Sequence, residues 1–246
     1  WDGRAAAVAD AFCAGQVQER TRGHYLTDGV PPYARTSFAG VFGVQSENSA
    51  SWVTTGAKFE DPPLQLALTA ERQMVQERAP DDGHRKTILD PDATHVGIGY
   101  ALGGGRFQMA QEFLGRSLER LTLSIVDARG CAVRFEGKTL GGRRLEFVMA
   151  AREPEPRLLT REEATARKSY AYPRSDVAYL PEGSVVSRIE GVVNEPRIHV
   201  RTRGRFTFVF APDAPGLYTF VFYVSRGAGR ARPGGSATMW VEAVGS

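Results

Sequence analysis

The residues of this 246-residue chain best placed to do chemistry are two of its four histidines. His24 and His84 stand in glycine-flanked turn text, Gly23-His24-Tyr25 and Asp81-Asp82-Gly83-His84-Arg85. A neutral imidazole on a loop is a common ligand for a divalent ion and a proton carrier near neutral pH. His95 opens an apolar run and His199 alternates with Ile198 and Val200, so both read as structural. Imidazoles joined by carboxylates suit zinc or a similar borderline ion, and an open position on such an ion would hold a water able to attack an ester or a peptide. The other chemical signals are missing. There is no His-Glu-x-x-His spacing, no Gly-x-Ser-x-Gly elbow, and Cys13 falls in the middle of a helical pattern. Gly103-Gly104-Gly105 lies between two strand-like runs with no Gly-Lys-Ser or Gly-Lys-Thr after it, which makes it a turn and not a phosphate loop.

The elements that must hold these residues change character along the chain. Residues 4–18 read as a helix with Val8 and Phe12 four apart, and residues 64–78 as a second helix entered through Asp61-Pro62-Pro63. Between them, residues 23–43 are rich in glycine, proline and threonine and read as a structured loop. Residues 95–101 and 107–113 form a hairpin around the glycine turn. After about Gly115 the text is wholly β, with short runs at 121–125, 132–135, 145–149, 185–189, 198–200, 206–210, 218–224 and 238–241. That spacing predicts a β-sandwich. Residues 159–168 read as a charged surface excursion, with Thr160 and Glu163 at capping-box spacing. Asp213-Ala214-Pro215-Gly216-Leu217-Tyr218 resembles the tyrosine corner of immunoglobulin-like domains.

Longer strings carry a resemblance to a known family. Gly83-His84-Arg85-Lys86-Thr87-Ile88-Leu89-Asp90-Pro91, then Thr94-His95-Val96-Gly97-Ile98-Gly99-Tyr100-Ala101, resembles the signature of the CAP superfamily, the domains shared by cysteine-rich secretory proteins, antigen 5 and pathogenesis-related 1 proteins. Gly23-His24-Tyr25 with Asp28-Gly29 resembles its first histidine loop in bacterial forms, Ser46-Glu47-Asn48 its Glu-Asn element, and residues 107–113 its closing strand. The resemblance covers residues 1–114 and implies an α+β chain: an N-terminal α-β-α sandwich CAP domain over residues 1–115, missing its opening helix, followed by an all-β immunoglobulin-like sandwich over 116–246. It also implies one cleft faced by two histidines and two glutamates. The counterparts by motif are His24, Glu47 and His84; the second glutamate is Glu77, nearer the His84 loop, or Glu71, on the middle of the apolar stripe.

The resulting expectation is a secreted or cell-envelope protein, extracellular or periplasmic, whose cleft binds a divalent metal such as zinc through His24 and His84, or a small and possibly lipid ligand. The β-rich half would then meet a cell-surface partner. The alternatives are a metal-assisted esterase or peptidase with Glu47 or Glu77 as general base, and an interaction protein with an idle cleft. Composition narrows the partners. The net charge is +3, and no basic stripe interleaved with exposed aromatics is present; Arg201, Arg203 and Arg205 alternate as on a solvated strand face, so nucleic acid is not expected. No apolar run reaches the roughly 20 residues of a membrane span. Two cysteines, Cys13 and Cys131, could form one bridge in an oxidising compartment or remain buried thiols. The abrupt start on Trp1-Asp2, with no export signal, reads as a trimmed product.

Overall fold

The computed structural model describes residues 1–56, 59–127, 132–183, 189–227 and 229–242. They form two compact units, one of Trp1–Val41, Gln45–Leu114 and Pro156–Ala171, the other of Phe42–Val44, Gly115–Glu155 and Tyr172–Ser246. No helix among the described residues is long and apolar enough to cross a membrane.

In the first unit, helix α1 (Gly3–Glu19) starts where Asp2 Oδ1 accepts the Ala5 N–H at 2.8 Å, an N-cap that satisfies one of the free donors of the first turn. Its Ala5, Ala9, Phe12 and Cys13 are buried. Strand β2 (His95–Gly103) lies so close to α1 that a Cβ on Gly97 would stand 2.1 Å from Ala6 N, and one on Gly99 2.2 Å from Asp10 N. Strand β3 (Arg106–Gly115) pairs antiparallel with β2 from His95↔Leu114 to Gly103↔Arg106. The turn between them needs left-handed backbone, supplied by Gly104 and Gly105 at φ 55° and 69°. Strand β1 (Val44–Val53) completes a three-stranded sheet in the order β1-β3-β2, which leaves β1 at an edge.

Helix α3 (Pro63–Gln76) enters through Pro62-Pro63, and its Leu66, Ala70 and Met74 pack with Phe107 and Met109. The stretch read as loop also contains helix α2 (Pro32–Phe38), begun by Pro32, whose fixed φ suits a first turn. His84 lies in the short helix α4 (Gly83–Ile88) rather than in a bare turn. Residues 156–171 are not a surface excursion of the β-rich half. They belong to the first unit, where Leu159 and Ala164 are buried with Tyr25, and the Leu159 N–H donates to Thr27 O at 2.8 Å. The capping box is present at helix α5 (Arg161–Ala166): Thr160 Oγ1 accepts from Glu163 N at 3.1 Å, and Glu163 Oε2 accepts from Thr160 N at 2.8 Å.

The second unit carries β4 (Leu118–Asp127), β5 (Ala132–Thr139), β6 (Arg143–Glu153), β7 (Val177–Pro181), β8 (Val193–Val200), β9 (Arg205–Phe210), β10 (Gly216–Arg226) and β11 (Arg232–Val241). Among the described residues they form one sheet of eight strands, ordered β11-β10-β6-β7-β8-β9-β5-β4. Its two edges meet: the Ser117 N–H donates to Gly234 O at 2.6 Å, where β4 and β11 begin. Alternation fills the interior. Along β9, Phe206, Phe208 and Phe210 are buried while Arg205 and Val209 are exposed. Phe135 stacks on Phe208 at a centroid distance of 4.7 Å, with Phe220 and Phe222 beside them. The Tyr218 hydroxyl lies 2.7 Å from Ala214 O and 2.8 Å from Asp213 Oδ1, clamping the turn before β10.

This architecture corrects the expected fold. Strands take 42% of the chain against 23% for helices, so it is predominantly β and is not a CAP α-β-α sandwich followed by an immunoglobulin-like sandwich. An immunoglobulin-like sandwich holds two sheets face to face; here a single sheet curls until its ends touch, closing around its own aromatic rings. Period-two alternation looks the same in a sandwich and in a barrel, which is why the run of short strands did not separate them. The strand expected at 185–189 and the thiol of Cys131 lie almost wholly outside the described residues. Cys13 is a free, buried thiol.

Candidate functional site

The two loop histidines are each held by a carboxylate. His24 Nδ1 lies 2.7 Å from Glu47 Oε1, and Glu47 reaches it from the buried side of β1. His84 Nδ1 contacts Glu77 Oε1 at 2.5 Å, while Glu77 Oε2 accepts the backbone N–H of His84 at 3.0 Å and of Arg85 at 3.3 Å. Glu77 ends α3 at its C-cap, so the loop to α4 folds back on the carboxylate that closes the preceding helix. Glu71, the alternative partner, is taken by the Gln111 side chain. An ionised carboxylate can only accept, so the hydrogen of each ring sits on Nδ1 and the lone pair on Nε2. Neither Nε2 makes a hydrogen bond among the described residues.

Strand β1 ties the two pairs to one scaffold. Glu47 holds His24, and its neighbour Asn48 donates through Nδ2 to His84 O at 3.1 Å and to Gln111 Oε1 at 3.0 Å. Consecutive strand residues project to opposite sides, so the pairs are anchored on opposite sides of the edge strand β1. The four residues expected in one cleft are thus brought together as two pairs. A cleft of about 730 Å³ opens on the Glu77 side, lined by Val75, Arg78, Asp82 and Arg85 among others.

Sequence reasoning missed the charge network behind His24. Arg35, on α2, donates through Nη2 to Glu47 Oε2, lies 3.7 Å from Glu112 Oε1, and donates through Nη1 to His24 O at 3.4 Å. The guanidinium carbon of Arg35 sits 3.7 Å above the centre of the Phe12 ring, and Gln45 Nε2 donates to Glu112 Oε2 at 2.7 Å. The Tyr170 ring meets His24 edge-on at 5.1 Å. A polar run inside an apolar strand was the available signal, since Gln108, Gln111 and Glu112 interrupt residues 107–114.

Burial governs the titration of this cluster. It pushes His24 down to about 4, helped by the Arg35 charge. It raises Glu47 against the opposing pull of Arg35, and raises Glu112 well above the carboxylate range, with the Glu47 charge adding to the effect. Burial opposes the charge of Arg35, yet Glu47 and Glu112 together hold its proton more firmly than usual. Burial also raises the Cys13 thiol far above its ordinary value, which removes it as a nucleophile at neutral pH.

No family model matches this sequence, and no curated protein does. The CAP resemblance is therefore corrected on two grounds, the absence of a family match and the β-dominated architecture. Its most specific string has a local physical cause. The glycines of Val96-Gly97-Ile98-Gly99 are demanded by the close approach of α1, where any side chain would strike helix backbone.

Proposed function

We propose that the β1 edge of the first unit is a binding site in which His24 and His84, one on each side of the strand, each offer an Nε2 lone pair to a divalent ion such as zinc. The carrying observation is the carboxylate on Nδ1 of each ring. That arrangement fixes tautomer and ring orientation and raises ligand basicity, and it is the usual second shell of a metal-ligating histidine. Water would complete the coordination, because no group of three or more His, Cys, Asp and Glu side chains suited to a metal occurs among the described residues. Neutral His24 favours such a role, since a protonated ring cannot ligate. The fit extends to a small ligand that donates a hydrogen bond to Nε2, for which the cleft beside Glu77 has room.

Zinc titration by calorimetry, with elemental analysis, tests this reading on the wild type and on the His24→Ala, His84→Ala double variant. Saturable binding at pH 7 that weakens by roughly tenfold or more in the double variant is expected. Glu47→Gln should weaken it less, through loss of orientation. Equal binding by wild type and double variant would remove the histidines from the site.

A further inference from the structure

The outer face of the second unit carries a feature that only strand register exposes. Arg120 of β4 stands directly opposite Lys138 of β5, and Lys138 directly opposite Arg205 of β9. Three cations therefore lie in one row across three adjacent strands. Like charges at opposed positions destabilise a sheet, so a chain selected for stability alone has no reason to keep this row. Partial relief comes from a bulge between Leu118 and Arg120: its extra residue, Glu119, pairs with Lys138 at 2.5 Å. Arg120 and Arg205 have no ion pair among the described residues. Arg201 joins them, its N–H donating to Arg205 O at 2.7 Å where β8 turns into β9. Together these residues line a groove of about 370 Å³, with Glu136 and Thr207 along its side.

The floor of the groove lies against the packed interior. Gly137 lies within it, and the ring of Phe206 fills the space beneath so closely that a Cβ on Gly137 would stand 2.1 Å from it. The row has the dimensions of a particular guest. Two strand spacings of about 4.8 Å carry the row across roughly 10 Å, and long side chains converging from that width reach two linked tetrahedral oxyanions better than one.

We propose that this groove binds a small soluble diphosphate, held by Arg120, Lys138, Arg201 and Arg205. A diphosphate supplies the negative charge that the row lacks, and arginine forks match its oxygens two at a time. The site is independent of the histidine pairs.

The test is calorimetric titration of the full chain with inorganic pyrophosphate, in parallel with inorganic phosphate and with vesicles containing an anionic phospholipid. Pyrophosphate should bind about tenfold more tightly than phosphate, and more weakly when salt rises from about 50 to about 200 mM. The Arg120→Gln, Arg205→Gln double variant should lose about tenfold or more, while Arg161→Gln, on α5 of the other unit, should bind like wild type. Because both groove arginines are exposed, the unliganded double variant should melt no lower than wild type. The proposal is overturned if the double variant binds pyrophosphate like wild type, if only the vesicles bind, or if the variant melts several degrees lower, which would make the row a structural brace.

Discussion

Burial sets His24 and Glu112 working against each other on the pH scale. The imidazole of His24 falls from its ordinary 6.5 to about 4 in the folded chain, so between those values the unfolded chain takes up a proton that the folded chain refuses. The stability due to neutral His24 is complete above about pH 6.5 and is lost as pH falls toward 4, at most about 3 kcal/mol for a shift of this size. Glu112 has the opposite sign. Its folded carboxyl holds a proton well above the ordinary 4.5, so its contribution is present below that value and is lost as pH rises through the folded one. Urea unfolding of His24→Gln between pH 4 and 6.5 should therefore show a flatter rise of stability with pH than wild type, and Glu112→Gln a steeper one. A His24 ring that titrates near 6.5 by NMR would contradict the first expectation, and a Glu112 carboxyl that titrates in the ordinary range would contradict the second. None of this was readable from the spacing of the histidines. The sequence marks where His24 turns, but its titration depends on burial and on the charges of Arg35 and Glu112, brought near it by α2 and β3.

Close packing of α1 on β2 leaves no room for one added methyl. A Cβ at Gly97 would fall 2.1 Å from Ala6 N and 2.6 Å from Ala5 Cβ, and backbone cannot swing aside as the end of a side chain can. Gly97→Ala should cost about 1–3 kcal/mol in chemical denaturation by forcing the helix off the strand. Gly83→Ala is the control: nothing lies within 4 Å of its added Cβ, and α4 should tolerate or welcome the methyl. Equal losses at both positions would mean that helix contact is not what Gly97 serves. Legibility at this scale follows the strength of local signals. The β2–β3 hairpin was readable because a glycine turn separates two alternating runs, and α1 and α3 because their apolar spacing and Pro62-Pro63 are local. Strand β1 was not readable as an element, since Gln45-Ser46-Glu47-Asn48-Ser49 has the composition of a loop. It is a strand because its polar side chains find partners in Glu112, Gln111 and His24 far along the chain.

Chain order and compact units do not coincide in the whole molecule. After β6 the chain leaves the barrel-like sheet, contributes Pro156–Ala171 to the first unit, and returns at Tyr172. Composition suggested a solvated excursion, because seven of the ten residues at 159–168 are charged or polar in the pattern of a capped helix. The few apolar residues decide otherwise: Leu159 and Ala164 are buried with Tyr25, and Tyr170 reaches the rings of His24 and Tyr33. The closure of the eight-stranded sheet was hidden for the same reason, since the Ser117–Gly234 contact joins residues more than a hundred positions apart, and alternation within a strand carries no word of it. If residues 156–171 belong to the first unit, a cavity made there must be felt at the His24 loop and not in the sheet. Leu159→Ala should cost about 2–5 kcal/mol. Hydrogen exchange should quicken at residues 21–30, where Leu159 packs on Tyr25 and bonds to Thr27, while the paired amides of β6 and β10 keep their protection. Faster exchange in β6 and β10 with an unchanged His24 loop would return the segment to the β-rich unit.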